Sequence, residues 1–325
     1  MHHPRTTSRP RPGVSNRART RSGRSPWRPA AALLLSISAL CTALATGTAS
    51  ATEGPPPGDP AVSDPAVSDP AVGDPAVGDG DPAAVTPPAV PERGSAYMGM
   101  GVLAHDGQDG VPPQRRVTQT EGVDVSSHQG NVAWSTLWNS GVRWAYVKAT
   151  EGTYYENPYH PQQYNGSYDV GMIRGAYHFA TPDTTNGATQ ADYFVDNGGG
   201  WSRDGRTLPG ALDIEWNPYG DACYGKTSTQ MVAWIKDFLD RYRLRTGRDA
   251  VVYTATSWWT QCTGNSSAFG GVNPLWIARY ASTPGTLPAG WAVQTMWQYT
   301  STGPTVGDHN KFNGALDRVQ ALATG

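Results

Sequence analysis

An α/β fold, an irregular (β/α)8-like barrel in a single domain preceded by a disordered linker, is what this sequence predicts, and three observations predict it. Short apolar runs recur between helix-like stretches at Gly122 to Val125, Trp144 to Lys148, Met172 to Phe179, Leu208 to Trp216, Ala250 to Thr254, Pro274 to Tyr280 and Val293 to Tyr299. Strand then helix, repeated, implies a mainly parallel sheet, and seven or eight such strands favour closure into a barrel. Eleven of the twelve tryptophans lie beyond residue 95, where the composition turns aromatic-rich and Gly-punctuated. The clearest helix runs from Ser228 to Arg245, with Met231, Ile235, Phe238 and Tyr242 at spacings of three and four and Gly247 as its stop.

The chain before the barrel divides in two. Residues 1–51 hold eight arginines and no acidic residue, then an apolar run from Ala30 to Leu44 and the small-residue triplet Ala49-Ser50-Ala51. That order reads as a signal peptide, since the apolar run is shorter than the roughly 20 residues that span a bilayer. Residues 52–94 repeat Asp-Pro-Ala-Val from Asp59, Asp64, Asp69 and Asp74. Proline-rich repeats with small side chains cannot bury enough apolar area to offset chain entropy, so this segment is expected to be a stiff, disordered spacer. Residues 95–120 form an N-terminal extension, either draped over the barrel or loose, and residues 121–325 the barrel.

Charge and cysteines narrow the class. Removing the leader's arginines takes the formal charge from −2 to −10, and no basic face is visible in what remains, which argues against a nucleic-acid partner. Membrane attachment after leader cleavage is not expected, and the chain is read as a monomer exported to the extracellular space or the cell wall. Cys41 lies in the leader, leaving Cys223 and Cys262 as a pair for which a disulfide is the default in an exported protein. Closing a loop of about 40 residues would stabilise the fold by roughly 4 kcal/mol on the chain-entropy model.

The chemistry lies in the acidic residues. Leu212-Asp213-Ile214-Glu215-Trp216 sets two carboxylates two positions apart in an apolar run, and Gly122-Val123-Asp124-Val125-Ser126 places a third in a similar run. Side chains alternate along a strand, so Asp213 and Glu215 point to one side, roughly 6 to 7 Å apart along the backbone. Neighbouring carboxyl groups in a cleft cannot both ionise freely, and the one whose pKa rises can donate a proton near neutral pH, as acetal cleavage requires. The competing reading is a structural ion-pair network of Asp213 and Glu215 with Lys148, Arg174 or Arg279. For Asp124 the competing reading is a cap on the following turn through Ser126 and Ser127. His128, His178 and His309 show no metal-ligand spacing, so no metal and no cofactor is expected; a serine-nucleophile elbow and a phosphate-binding glycine loop are absent too.

Taken together, Gly122-Val-Asp-Val-Ser-Ser-His-Gln-Gly130, Val147-Lys-Ala-Thr-Glu-Gly152, Arg174-Gly-Ala-Tyr-His-Phe179, Leu212-Asp-Ile-Glu-Trp216 and Trp297-Gln-Tyr299 resemble the family 25 glycoside hydrolases, the N,O-diacetylmuramidase lysozymes. The resemblance runs from about Glu121 to the C-terminus. It implies a single catalytic domain that hydrolyses the β-1,4 bond between N-acetylmuramic acid and N-acetylglucosamine, with peptidoglycan glycan strands as partner. By the same resemblance Glu215 matches the proton donor, Asp213 its neighbouring carboxylate, Asp124 the acid of the first strand and, most loosely, Asp308 the acid near the end. A same-face carboxylate pair leaves little room for an inverting water and favours net retention. Tyr177, Tyr253, Trp216 and Trp297 are the expected substrate-binding aromatics. The alternatives are another glycan hydrolase, a chitinase or glucosaminidase, and a non-catalytic glycan-binding protein.

Overall fold

The computed structural model describes residues 90–109 and 118–325. The expected signal peptide, and nearly all of the expected linker, lie outside the described residues. Nine strands occur among them: β1 Thr120–Val125, β2 Trp144–Glu151, β3 Tyr155–Glu156, β4 Ile173–Phe179, β5 Ala211–Asp213, β6 Val251–Thr254, β7 Leu275–Ala278, β8 Met296–Thr300 and β9 Asp308–Phe312. Eight of them close a barrel in the order β1-β9-β8-β7-β6-β5-β4-β2, β2 pairing back onto β1, while β3 is a two-residue ribbon on β2. Parallel pairing links β1, β2, β4, β5, β6, β7 and β8, whereas β9 runs antiparallel to both β8 and β1. The closing strand is thus the departure from a regular (β/α)8 plan, and it falls where the apolar-run pattern predicted no strand.

Alternation along the strands divides two cores. On β2, Trp144, Tyr146 and Lys148 face the lumen; Ala145 and Val147 face outward with Val123, Val125, Leu137 and Met172. Aromatics fill the lumen: Trp276 lies 4.9 Å from Tyr146, 6.0 Å from Trp144 and 5.3 Å from Tyr253 between ring centroids. Offset and edge-on contacts of this kind add to simple burial, and they leave the barrel's lower half solid.

Seven helices accompany the strands, α1 Met100–His105, α2 Trp134–Asn139, α3 His160–Asp169, α4 Gly187–Phe194, α5 Ser228–Thr246, α6 Thr256–Thr263 and α7 Leu316–Thr324. In α5, predicted from its spacing, a capping box joins Thr227 and Gln230 at the start, and Gly247 ends it at φ 73°. Its inner face buries Met231, Ile235, Phe238 and Tyr242. Gly187 at the head of α4 permits the close crossing of α5, because a Cβ there would stand 2.4 Å from Trp234 O and 2.5 Å from Phe238 N. Cys223 and Cys262 form the expected disulfide, tying the loop after β5 to α6.

The described part of the extension up to residue 109 drapes over the barrel. Residues 92–109 cross the mouth of the barrel, and α1 lies within that crossing segment. Arg93 and Gly94, placed in the linker on composition, belong to it: Arg93 pairs with Asp183 at 2.7 Å, and Gly94 N donates to Glu151 Oε1 at 2.9 Å.

Candidate active site

Four carboxyl groups gather at the C-terminal mouth of the barrel: Asp124 on β1, Asp213 at the end of β5, Glu215 two residues further and Asp308 at the start of β9. The parallel strands β1 and β5 deliver the first three where barrel chemistry is usually sited. Asp308 reaches the same mouth because its strand runs the other way. All four are buried, Asp213 and Glu215 completely.

A relay of amide and phenol groups orders the acids. Asp124 Oδ2 accepts from Asn310 Nδ2 at 2.7 Å and from Gln298 Nε2 at 2.9 Å. Asn310 is itself fixed by the Trp276 indole, whose Nε1 donates to Oδ1 at 2.8 Å. Gln298 Oε1 accepts from Tyr253 OH at 2.5 Å and Tyr280 OH at 3.0 Å, which orients its amide so that Nε2 faces the acids. Asp308 Oδ2 accepts from Tyr280 OH at 3.2 Å and Gln298 Nε2 at 3.3 Å. Gln298, Asn310 and Tyr280 were not singled out from sequence. The available signal was an inward polar residue in an apolar strand, Gln298 between Trp297 and Tyr299.

Burial sets the protonation of this cluster. Glu215 is pushed up to about 8, mainly by removal from water, against backbone N–H groups of Gly99, Gly101 and Val102 that favour its charged form. Asp308 is raised to about 7 by burial, the Tyr280 hydroxyl working the other way. Asp124 is raised well above the usual carboxylate range by burial and then by the charge of Asp308, with Asn310 and Gln298 opposing. Asp213 is raised by burial and then by Glu215. Neither Asp213 oxygen has a hydrogen-bond partner, an arrangement that costs free energy unless the site serves something else.

The ion-pair alternative does not match this geometry. Lys148 pairs with Glu151 at 2.6 Å and Arg174 lies 3.5 Å from Asp204, while no salt bridge reaches Asp213 or Glu215 among the described residues. Asp124 does not cap the following turn either; Ser126 does so itself, accepting from His128 N. The three histidines have separate partners, His128 with Ser95 O, His178 with Thr150 and Gln190, His309 with Thr305.

The expected aromatic set divides. Tyr177 reaches the site and accepts from Met98 N at 3.4 Å; Tyr253 reaches it through Gln298. Trp216 flanks Glu215 and stacks on His105, with ring centroids 4.0 Å apart and planes inclined by 12°. Trp297 is not brought to the acids. It alternates with inward Gln298 on β8, donates from Nε1 to Arg279 O at 2.8 Å and packs on Tyr299, so it faces away from the mouth.

Fold and site together define a glycoside hydrolase. The family model for glycosyl hydrolases family 25 matches residues 123–308, and the chain belongs to that family. It is 47% identical over 240 residues to lysozyme M1 of Streptomyces globisporus, covering 71% of this chain and 82% of that one. An N,O-diacetylmuramidase of a Chalaropsis species is 51% identical over 209 residues, covering 63% of this chain and 99% of its own. Among solved structures, a muramidase from Acremonium alcalophilum superposes with a TM-score of 0.63 at 53% identity, over 63% of this chain and 99% of its own.

Proposed function

We propose that this chain is an exported lysozyme that hydrolyses the β-1,4 bond between N-acetylmuramic acid and N-acetylglucosamine in peptidoglycan. The observation that carries the reading is the cluster itself: four buried carboxyl groups at the barrel mouth, ordered by amides and phenols rather than neutralised by cations. Similarity to relatives named as muramidases supports the choice of glycan. The basic leader with its apolar run supports export.

In this reading Glu215 is the general acid. Held at about 8, it keeps its proton at neutral pH, and a seated glycan would exclude water from it much as the present cover does. Asp213, with both oxygens free of partners, faces charge that develops at the anomeric carbon or orients the 2-acetamido group, whose oxygen then acts as the internal nucleophile with net retention. Asp124 and Asp308, positioned by Gln298, Asn310 and Tyr280, supply carboxyl oxygens that favour an oxocarbenium-like transition state. Tyr177, Tyr253 and Trp216 line the place where the sugar sits.

Reducing-end analysis after prolonged digestion of purified peptidoglycan tests the proposal. New muramic acid ends are expected, and new glucosamine ends would instead identify a glucosaminidase.

A further inference from the structure

Segment 92–109 occupies the place that a substrate needs. It enters beside β2, where Gly94 O accepts from Lys148 Nζ at 3.2 Å, Ala96 O accepts from the same ammonium, and Ala96 N donates to Tyr219 OH at 3.1 Å. Over the acids, Met98 N donates to Tyr177 OH, while Gly99 N and Gly101 N donate to the two oxygens of Glu215 at 2.6 and 3.0 Å. The segment leaves over β6 to β8, where Asp106 accepts from Ser257 at 2.6 Å and Asp109 N donates to Tyr280 O at 2.7 Å.

Its side chains are seated as deeply as the backbone. Ala96, Met98 and Val102 are fully buried, and His105 covers the Trp216 ring. Two glycines make the approach possible. A Cβ on Gly99 would stand 2.0 Å from Tyr280 OH, and one on Gly101 would stand 2.4 Å from Trp216 Cβ and 2.9 Å from Glu215 Oε2. Open clefts border the segment on either side, about 380 Å³ beside Asp106, Ser257 and Arg279 and about 340 Å³ beside Arg93, His128 and Tyr155.

We propose that residues 92–109 are a tethered inhibitor seated in the glycan track, so that the chain is latent until this segment leaves the barrel mouth. The inference rests on the glycan-hydrolase reading of the same acids. Inhibition works by occupancy: Glu215 and Trp216 are covered, and the Gly99 and Gly101 amides take up the Glu215 oxygens, so no sugar ring reaches them. The segment offers backbone C=O groups to Lys148 and N–H groups to Tyr177, Tyr219 and Glu215, the last from the N-terminal turn of α1.

Two chemically different substitutions in the full chain test the proposal. Met98→Glu puts a carboxyl at a fully buried position of the apolar cluster, and Gly101→Leu overlaps Trp216; both undock the segment without altering a barrel residue. Hydrogen exchange reads docking, soluble glycan-strand binding reads access, and reducing-end release reads turnover. The expected result is protection of the 94–105 amides in the wild-type chain, loss of that protection in both variants, and at least tenfold faster release by both. Wild-type release as fast as that of the unprotected variants would overturn the proposal, as would full exchange of 94–105 in the wild type. If the variants bind glycan where the wild type does not, yet nothing is released, the inhibitor stands and the hydrolase reading falls.

Discussion

Replacing Glu215 with Gln should remove a stability loss that the wild-type fold suffers as pH rises, and the size of the effect follows from where the carboxyl sits. Its pKa stands at about 8 in the fold against an ordinary value of 4.5, so between those limits the folded chain keeps a proton that the unfolded chain has lost. A raised carboxyl contributes stability that is intact below about 4.5 and falls away as pH rises toward about 8. At pH 7 the ionised, unfolded form is favoured by on the order of 3 kcal/mol at about 1.4 kcal/mol per pH unit. Glutamine is the neutral isostere of the protonated acid, but its Oε1 accepts from only one of the Gly99 and Gly101 N–H groups while its Nε2 faces the other, a cost that is the same at every pH. The difference between the two melting temperatures should therefore be fixed below about pH 4 and shift in favour of Gln above it. For a chain of this size that shift is roughly 6 to 12 °C by pH 7. Thermal unfolding followed by circular dichroism from pH 4 to 8 gives the comparison. Parallel melting curves across the range would refute the argument that Glu215 is held protonated by burial.

Other consequences follow from the same geometry. Cys223→Ser with Cys262→Ser should destabilise the fold by about 2 to 4 kcal/mol, read by denaturant midpoint, because a 39-residue separation is then left uncrosslinked. Gln298→Ala, made in the opened Met98→Glu chain, removes one of the two amide donors to Asp124 and the amide donor to Asp308; it should lower kcat by about 10² and move the pH profile upward, whereas a merely structural role would change only the melting temperature. Mass spectrometry of enzyme quenched during turnover should find no glycosyl adduct on Asp213, since the acetamido group is the expected nucleophile; an adduct there would assign attack to Asp213 itself.

Much of the barrel was legible because its strands are apolar. Seven of the nine strands overlap the predicted runs, and α5 carried its own spacing and stop in Met231 to Tyr242 and Gly247. The closing strand was not legible, for a physical reason. Asp308-His309-Asn310-Lys311-Phe312 is polar on both faces, since Asp308 and Asn310 point to the acids while Lys311 lies over Tyr299 and 3.6 Å from Glu121. A strand shaped by the site it serves gives no hydrophobic alternation to find.

Of the site, Asp124, Asp213 and Glu215 announced themselves by being acids in apolar runs, whereas Asp308 was reached only through the family resemblance. Their supporting amides and phenols did not, because Gln298, Asn310 and Tyr280 have meaning only once β7, β8 and β9 are side by side. Trp297 shows the converse. Its position at the end of a strand made it attractive, but alternation with Gln298 sends it outward. The role of residues 92–109 was equally hidden, since Tyr97-Met98-Gly99-Met100-Gly101-Val102 has neither helix nor strand periodicity, and its seat exists only in the assembled barrel.

The central claim is that Glu215 delivers the proton that breaks the glycosidic bond, and the most direct measurement is made with the mouth open. Muramic acid reducing ends released from purified peptidoglycan are counted for Met98→Glu and for the same chain carrying Glu215→Gln, with folding checked by circular dichroism. A fall of about 10² to 10⁴ in rate with the fold intact is predicted, and equal rates from the two chains would contradict the account.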